Sequence, residues 1–415
     1  MNINWRRTAL GELETETGGV IQTGPFGSQL HMSDYSDEGT PVVMPTNIRD
    51  MRIDPTDIAR VGDEHVDRLV RHQLRPGDIL YSRRGDVEKC ALVTEHETGW
   101  LCGTGCLLVR VQGEHIDTRF LAYQLSTPAK RGWIRQHAVG LTMLNLNTGI
   151  LREIPIELPD FEEQQRIAGV LGVLDDKIES NLRVRNLCRD LGGNLVADTV
   201  RSAPSTQLEH YAASISRGVT PQYYKDEDAS PVLVLNQKCI RDGWVTPELA
   251  RLMTPRAREK SQAIARLDDL LVNSTGQGTL GRVARWDSDD PIYVDSHVTV
   301  VKADPRRIYP VLMPYLVFPL QDKIEHMATG STGQTELSPS RLAQLNVPLL
   351  SLEEQRPLSA RLVALEAQAH YCQVQSLKLT ELRDALLPEL MSGRMRVDEA
   401  RCLVSEALDE EVADV

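Results

Sequence analysis

One group of residues has the types and spacing of a metal-dependent nuclease site. Pro159-Asp160 is followed by Asp175-Asp176-Lys177, and carboxylates with a lysine can bind Mg²⁺ and activate water for phosphodiester hydrolysis. However, Asp160 stands where a helix-capping residue is expected, and Asp175 and Lys177 lie between the apolar residues Leu174 and Ile178. This pattern favours a capped helix with a solvated face. The nuclease site therefore stays as the alternative.

Other chemical motifs are weaker or missing. Cys90, Cys102 and Cys106 could ligate zinc, but the second ligand pair of a zinc site is missing, so free thiols of a reducing cytosol are predicted. His297 lies in a strand-like run and is predicted to be structural. The sequence contains no P-loop, no GxGxxG after a strand, no GxSxG, HExxH or paired CxxC motif, and no Asn/Asp-Pro-Pro-Tyr/Phe tetrapeptide. The sequence therefore contains none of these catalytic or cofactor-binding motifs.

The composition is typical of a globular protein of two or three domains. The 415 residues are 41% hydrophobic and 25% charged, with a net charge of −13. The N-terminus has no apolar signal core and the longest apolar run, 311–320, contains two prolines, so a cytoplasmic protein without a membrane span is predicted. Residues 398–415 contain seven acidic residues and one arginine, and an acidic, solvated tail is predicted there.

The chain contains two copies of one unit. GDILYSRRG at 77–85 matches DDLLVNSTG at 268–276, and DFEEQQ at 160–165 matches SLEEQR at 351–356. Both matches have the same offset of 191 residues, which predicts a tandem duplication.

Each copy begins with a globular part of α+β type and ends with a long helix. The globular parts are rich in turn residues and contain a predicted helix at Thr118–Thr127. The predicted strands are 41–44, 78–81, 91–94 and 106–111 in the first copy, and 231–235, 269–272 and 292–301 in the second. The predicted boundaries are 1–159, 160–204, 205–350, 351–397 and 398–415.

The two long helices are predicted to pack on each other. Asp160 with Glu163 and Ser351 with Glu354 form capping-box patterns, and Pro357 requires the second helix either to start a turn later or to kink. Apolar residues then follow a 4–3 spacing, which indicates a coiled-coil seam. The seam positions are Ile167, Leu171, Leu174, Ile178, Asn181, Arg185, Cys188, Leu191 and Leu195, and then Leu358, Leu362, Leu365, Ala369, Cys372, Ser376, Leu379, Leu382 and Leu386.

Several segments together resemble the specificity subunit of type I restriction-modification systems. The resemblance covers about residues 1–400, in the order domain, helix, domain, helix. The segments are GVIQTGPFGSQLHMSD (19–34), GDILYSRRG (77–85), ELPDFEEQQRIAGVL (157–171), PLLSLEEQRPLSARL (348–362) and LRDALLPELMSGRMRV (382–397).

The resemblance implies two tandem target recognition domains, each followed by a spacer helix, with the helices paired as an antiparallel coiled coil. Each domain would read one half of a bipartite site on double-stranded DNA, and the helices would set the length of the gap. Two methylation subunits would supply S-adenosylmethionine, and restriction subunits would use ATP and Mg²⁺. This chain would bind no cofactor and catalyse nothing. A nuclease and a pure protein-interaction scaffold are the alternatives.

Base edges and phosphates are contacted by Arg, Lys, Asn, Gln and Ser side chains, although any one of them could instead be a solvated loop residue. The loops that begin with Arg83–Arg84 and Asn273–Ser274 are the first choice, and Thr142, Asn145, Thr332 and Gln334 are weaker candidates. The predicted DNA contacts are Gln29, Asn47, Arg49, Arg83, Arg84 and Lys89, and in the second domain Asn236, Gln237, Lys238, Asn273, Ser274 and Gln277.

Overall fold

A computed structural model describes residues 5–49, 51–140, 142–224, 230–254, 261–328 and 335–409. The chain divides into two compact units, residues 1–179 with 376–415 and residues 180–375. Each unit contains one globular domain and part of both long helices. Among the described residues, no helix is both long and apolar enough to cross a membrane.

The first domain combines short strands with short helices. Its helices are α1 (Leu10–Thr17), α2 (Asp63–Arg68), α3 (Thr118–Ser126), α4 (Pro128–His137) and α5 (Thr148–Arg152). Its strands are β1 (Arg6–Ala9), β2 (Val20–Thr23), β3 (Tyr35–Ser36), β4 (Thr40–Val43), β5 (Ile48–Arg49), β6 (Arg52–Ile53), β7 (Ala59–Val61), β8 (Ile79–Ser82), β9 (Cys90–Leu92), β10 (Leu101–Cys102), β11 (Cys106–Arg110) and β12 (Pro155–Leu158).

Strand β8 lies between two hydrophobic cores. The strands form two four-stranded sheets, in the orders β2-β11-β8-β9 and β10-β4-β7-β3. Ile79 and Tyr81 face a core shared with the long helices, whereas Leu80 faces a second core. Because both faces of β8 are buried, its sequence begins with three consecutive apolar or aromatic residues rather than with an alternation. The repeat motif at 77–85 therefore marks the central strand of the domain.

A long helix follows, and then a second domain with the same kinds of elements. These are α6 (Phe161–Val200), followed by α7 (Leu312–Val317), α8 (Gln321–His326) and α9 (Pro339–Ala343). The strands are β13 (Ser205–Gln207), β14 (Ala212–Arg217), β15 (Val232–Leu235), β16 (Ile240–Arg241), β17 (Trp244–Val245), β18 (Arg251–Met253), β19 (Ile264–Ala265), β20 (Leu270–Asn273), β21 (Val283–Arg285), β22 (Ile292–Val294), β23 (Val298–Ala303) and β24 (Asn346–Pro348). Two further helices complete the chain, α10 (Leu352–Met391) and α11 (Val397–Asp409).

One sheet of the second domain repeats the strand order of the first domain, whereas the other sheet has its fourth strand at the opposite edge. Its sheets are β14-β23-β20-β21 and β18-β15-β22-β19, and Leu270 and Val272 of β20 face one core while Leu271 faces another. The prediction of one strand over 292–301 is wrong. A turn at 295–297 separates β22 from β23, and these strands belong to different sheets. The Asp295 carboxylate accepts from the His297 N–H at 2.9 Å and so stabilises this turn.

Helices α6 and α10 pair in an antiparallel sense, as predicted. Within the first unit Arg383 of α10 donates to Asp175 of α6 at 2.8 Å, and within the second unit Asn181 donates to Gln375 at 2.5 Å. The residue numbers of the partners in α10 fall as those in α6 rise, and this order defines antiparallel pairing.

Two details of the predicted helices need correction. Helix α10 begins at Leu352, so Pro357 does not delay its start by a turn. Leu191 is 50% exposed, because the contact face moves to Gly192 and Val196 at this end of α6. A Cβ on Gly192 would lie 2.6 Å from the Tyr315 ring. A helix of 3.6 residues per turn drifts away from a strict heptad, which accounts for the change.

The prediction of a solvated tail fails for the residues of α11. Val397, Ala400 and Val404 are buried in the core of the first unit, and Asp398 forms an ion pair with Arg166 at 2.8 Å. The apolar positions recur every three to four residues, so this helix has one buried face despite its acidic composition.

Candidate DNA interface

Three segments of the first domain meet where β8 ends. The Arg83 N–H donates to the Gly105 carbonyl at 2.8 Å, and the Arg83 carbonyl accepts from the Leu146 N–H at 2.8 Å. The Gly85 N–H donates to the Leu144 carbonyl at 3.1 Å. These bonds fix the loop at Arg83 and Arg84 between two neighbouring loops, so its side chains start from a rigid backbone.

The loop at 24–29 reaches the same place and carries an exposed aromatic ring. The Phe26 N–H donates to Gln29 Oε1 at 3.2 Å, and the Gln29 N–H donates to the Phe26 carbonyl at 2.8 Å. Phe26 is 53% exposed, and the Arg83 guanidinium carbon lies 5.7 Å from its ring centroid. A cation and an aromatic face are therefore presented together.

In the second domain the turn at 236–239 contacts the loop that follows β20. Asn273 Nδ2 donates to the Gln237 carbonyl at 2.9 Å, and Thr275 Oγ1 donates to Gln237 Oε1 at 3.4 Å. Thr275 Oγ1 also bonds His297 Nδ1 at 2.7 Å. The structure therefore brings together the two groups of predicted DNA contacts in this domain.

The loops after β8 and β20 are equivalent, but the corresponding residues differ by one position from the predicted pairing of Arg83–Arg84 with Asn273–Ser274. The Leu337 N–H donates to the Ser274 carbonyl at 2.9 Å, as Leu146 does to Arg83. Ser274 and Thr275 therefore occupy the places of Arg83 and Arg84, and Asn273 is the last residue of β20 rather than the first residue of the loop. The scaffold is shared, while the side chains that it presents differ in charge and size.

The predicted contact residues divide by exposure. Arg83 and Gln237 are half-buried, and Arg49 and Lys89 form ion pairs with Asp54 at 3.1 Å and with Asp86 at 3.0 Å. Thr332 and Gln334 lie outside the described residues, while Thr142 is exposed and Asn145 half-buried. The exposed members are Gln29, Arg49, Arg84, Lys89, Lys238 and Gln277, and the buried members are Asn47, Asn236, Asn273 and Ser274.

Two of the buried members, Asn47 and Asn236, bond to backbone groups of their own turns and of the segments that follow. Asn47 accepts from the Met44 N–H at 3.0 Å and donates to the Asp54 carbonyl at 3.0 Å. Asn236 accepts from the Lys238 N–H at 2.8 Å and donates to the Leu249 carbonyl at 3.1 Å. In this conformation these side chains hold the turns that carry their exposed neighbours.

Exposed apolar side chains beside these loops were not among the predicted contacts. Val139 and Met143 are exposed on the loop that contacts Gly85. Tyr223, with the Arg251 guanidinium 4.3 Å from its ring centroid, is exposed in the second domain. The GPFGSQ segment could have indicated Phe26 as a candidate contact. It did not, because the predicted contacts were chosen among polar side chains only.

The comparisons with known proteins agree with this arrangement. A family model described as the type I restriction modification DNA specificity domain matches residues 70–186. A protein of Methanocaldococcus jannaschii, assigned as the specificity subunit of the type I restriction enzyme MjaX, is 21% identical over 95% of this chain and 97% of its own length. Residues 70–186 match the type I restriction-modification DNA specificity domain, and the similarity to a specificity subunit extends over nearly the whole chain. A crystal structure of such a subunit from M. genitalium shares the fold, with a TM-score of 0.52, 18% identity and coverage of 94% of this chain and 96% of that chain.

The residues of the nuclease alternative have structural partners. The Asp160 carboxylate caps α6 by accepting from the Glu163 N–H at 2.8 Å. Asp175 accepts from Arg383 at 2.8 Å and from the Tyr123 hydroxyl. Fifteen helical residues place Asp160 and Asp175 about 22 Å apart, too far to share a metal ion. The described residues include no group of three or more His, Cys, Asp or Glu side chains placed to hold a metal.

The carboxylate that lies 191 residues after Asp175 has an equivalent role. Glu366 accepts from the Tyr315 hydroxyl at 2.6 Å and from Arg285 at 2.9 Å. Burial, together with the Glu366 charge, holds the pKa of Tyr315 well above its usual range. In each unit, one helix carboxylate therefore attaches the domain of that unit to the helix pair.

Proposed function

We propose that each domain of this specificity subunit reads one half of a bipartite site on double-stranded DNA, and that the chain itself catalyses no reaction. The observation that carries the proposal is the shared loop scaffold. In each domain a loop follows one strand of the matching sheet. It carries Arg83 and Arg84 in the first domain, and the buried Ser274 and half-buried Thr275 in the second. Different side chains at one position on a common scaffold suit two different DNA sequences.

The acidic net charge of −13 does not oppose this role, because exposed cations also lie in and beside the converging loops of the first domain. Arg84 and Lys89 are exposed beside the end of β8. Phosphate contacts by such residues would orient the domain on the duplex, and nearby polar side chains would read bases.

The long helices would set the gap between the half-sites and dock the two methylation subunits. Helix α10 leaves Val363, Tyr371 and Val374 exposed on the side opposite its seam residues. Exposed apolar residues repeated along one helix face suit a partner helix. The methylation subunits would bring S-adenosylmethionine, and restriction subunits would bring ATP and Mg²⁺ chemistry.

The test is the methylation pattern of host DNA with and without this chain, in cells that hold the methylation subunits. One bipartite motif should lose its methylation when the chain is deleted and regain it on complementation. An unchanged methylome would contradict the proposal. Separately, purified chain incubated with Mg²⁺ and plasmid should leave the DNA intact, since cleavage would establish catalysis by the chain.

A further inference from the structure

The hairpin β16–β17 is the direct continuation of the turn at 236–239. The Cys239 N–H donates to the Asn236 carbonyl at 2.9 Å, and the Thr246 N–H donates to the Cys239 carbonyl at 2.8 Å. Asp242 and Gly243 connect the strands with φ angles of 53° and 77°, typical of a tight hairpin turn. Any force on the tip of this hairpin is therefore transmitted to the turn that carries Lys238.

Helix α6 holds the hairpin through one tryptophan. The guanidinium carbons of Arg185 and Arg189 lie 3.6 and 3.7 Å from the Trp244 ring centroid. Arg189 also donates to the Gly243 carbonyl at 2.8 Å. A Cβ on Gly243 would lie 2.3 Å from Arg189 Nη1, so glycine is required there. The contact is close and leaves little freedom to the hairpin.

Both arginines are largely buried, which makes the indole important to them. Arg185 Nε and Nη2 are buried without a hydrogen-bond partner, and its nearest carboxylate, Asp287, is 3.8 Å away. Burial lowers the pKa of Arg185 to about 10. The aromatic face therefore compensates a poorly solvated cation, and removing it would release Arg185 from this position.

The first domain has a different residue at the position that corresponds to Trp244. Arg49 pairs with Arg52 in its hairpin, as Arg241 pairs with Trp244 in the second. Arg52 therefore stands where Trp244 would be, and an effect transmitted through Trp244 belongs to the second domain.

On the basis of the proposed function, we propose that Trp244 is a positioning residue for DNA reading by the second domain. Held by Arg185 and Arg189 of the spacer helix, it fixes the turn at 236–239 against the loop after β20, without itself contacting DNA. The second domain's discrimination between DNA sequences depends on this attachment.

The test uses the chain assembled with its methylation subunits, with methylated motifs mapped in cells. Half-sites are assigned first with the Arg83→Ala plus Arg84→Ala variant, which should alter only the half read by the first domain. Trp244→Leu should reduce base discrimination at the other half by about tenfold and leave the first half unchanged. Trp244→Phe keeps an aromatic face and should restore most of the discrimination.

Two further variants separate positioning from general stability. Arg189→Lys keeps the charge but loses planar stacking, so it should relax the same half-site even if Trp244→Leu fails to assemble. Trp286→Phe alters another tryptophan of the second domain, buried and bonded to the Asp290 carbonyl. It should lower the melting temperature without changing the motif.

Equal relaxation of both half-sites, or an unaltered motif in assembled Trp244→Leu and Arg189→Lys complexes, would overturn the inference. Failure of the proposed function gives a different result, because the wild-type chain would then produce no bipartite motif to compare.

Discussion

Phe26 leaves an aromatic ring in solvent on a loop that can hardly move. Gly24 leaves no space for a Cβ, which would lie 2.0 Å from the Gly103 carbonyl oxygen, and Gln29 closes the turn. Single exposed apolar side chains are common on folded proteins, but this one lies beside a guanidinium group in the converging loops. Beside Arg83, the ring has the chemistry to stack on a base or contact a thymine methyl group.

Phe26→Ala should therefore weaken specific DNA binding by about tenfold, the usual range for losing one aromatic stacking contact. The measurement is the dissociation constant of the methyltransferase complex on its cognate duplex, at fixed salt. Phe26→Trp should retain affinity. Val70→Ala removes apolar area that is equally exposed in the same domain and should have no effect. Equal affinity of Phe26→Ala and wild type would exclude a DNA contact by this ring.

Asparagine shows the limit of reading function from residue type alone. Asn47 and Asn236 follow β4 and β15, where loop asparagines fit both a base reader and a turn cap. Burial distinguishes the two, and burial depends on packing from Asp54 or Leu249, which lie later in the chain. The exposed Arg84 and Gln277 could be predicted, because they stand beside glycines in a turn that the repeat locates.

Asn236→Ala should destabilise the second domain by about 1–3 kcal/mol, because it leaves the Lys238 N–H and the Leu249 carbonyl without partners. Lys238→Ala, two residues away and exposed, is the matched control and should leave stability unchanged. Thermal unfolding of the purified chain measures both. Equal melting temperatures for Asn236→Ala and wild type would show that the turn does not depend on this side chain.

At the scale of elements, the helix pair was the most predictable part of the molecule. Helices α6 and α10 are each 40 residues long, and their starting residues are separated by the repeat offset. Gln164 and Gln355 are both buried. Gln164 accepts from a backbone N–H in the loop before α3, and Gln355 accepts from one in the loop before α7. What the seam pattern could not show is the partner of a polar seam residue. Arg185 contacts Trp244, 59 residues later, and no periodicity contains that information.

The Asn181–Gln375 pair offers a direct test of the helix register. Both side chains are buried between the helices and bonded to each other. Replacing one therefore leaves the other buried without this hydrogen-bond partner. Asn181→Leu or Gln375→Leu alone should destabilise the chain by about 1–3 kcal/mol. The double variant, which replaces both by apolar groups, should recover most of that loss. Chemical denaturation of the four proteins gives the coupling, and additive losses would argue against contact between these residues.

At the scale of the whole molecule, duplication explains what could be predicted and what could not. Strands β8 and β20 and helices α5 and α9 keep the 191-residue offset, because their residues fill equivalent cores. The offset grows in the loops, so that Arg52 corresponds to Trp244 at 192 residues. Loop lengths change without disturbing either core. Of the segments proposed to contact DNA, the loops at 83–84 and 274–275 keep the 191-residue offset, whereas the turn at 236–239 lies outside it.

Separate cores also imply that the two domains should contribute independently to DNA recognition. The clusters around β8 and β20 share no residues, so loop changes in one domain should leave the other unaltered. Arg83→Ala plus Arg84→Ala should abolish specific binding through the first half-site, lower the salt dependence of binding by about one to two phosphate contacts, and leave subunit assembly intact. Lys238→Ala plus Gln277→Ala should affect only the second half-site. Binding energies measured for the combined variant on half-site mutants should then add within about 0.5 kcal/mol. A larger deviation would mean that one domain senses how the other is bound.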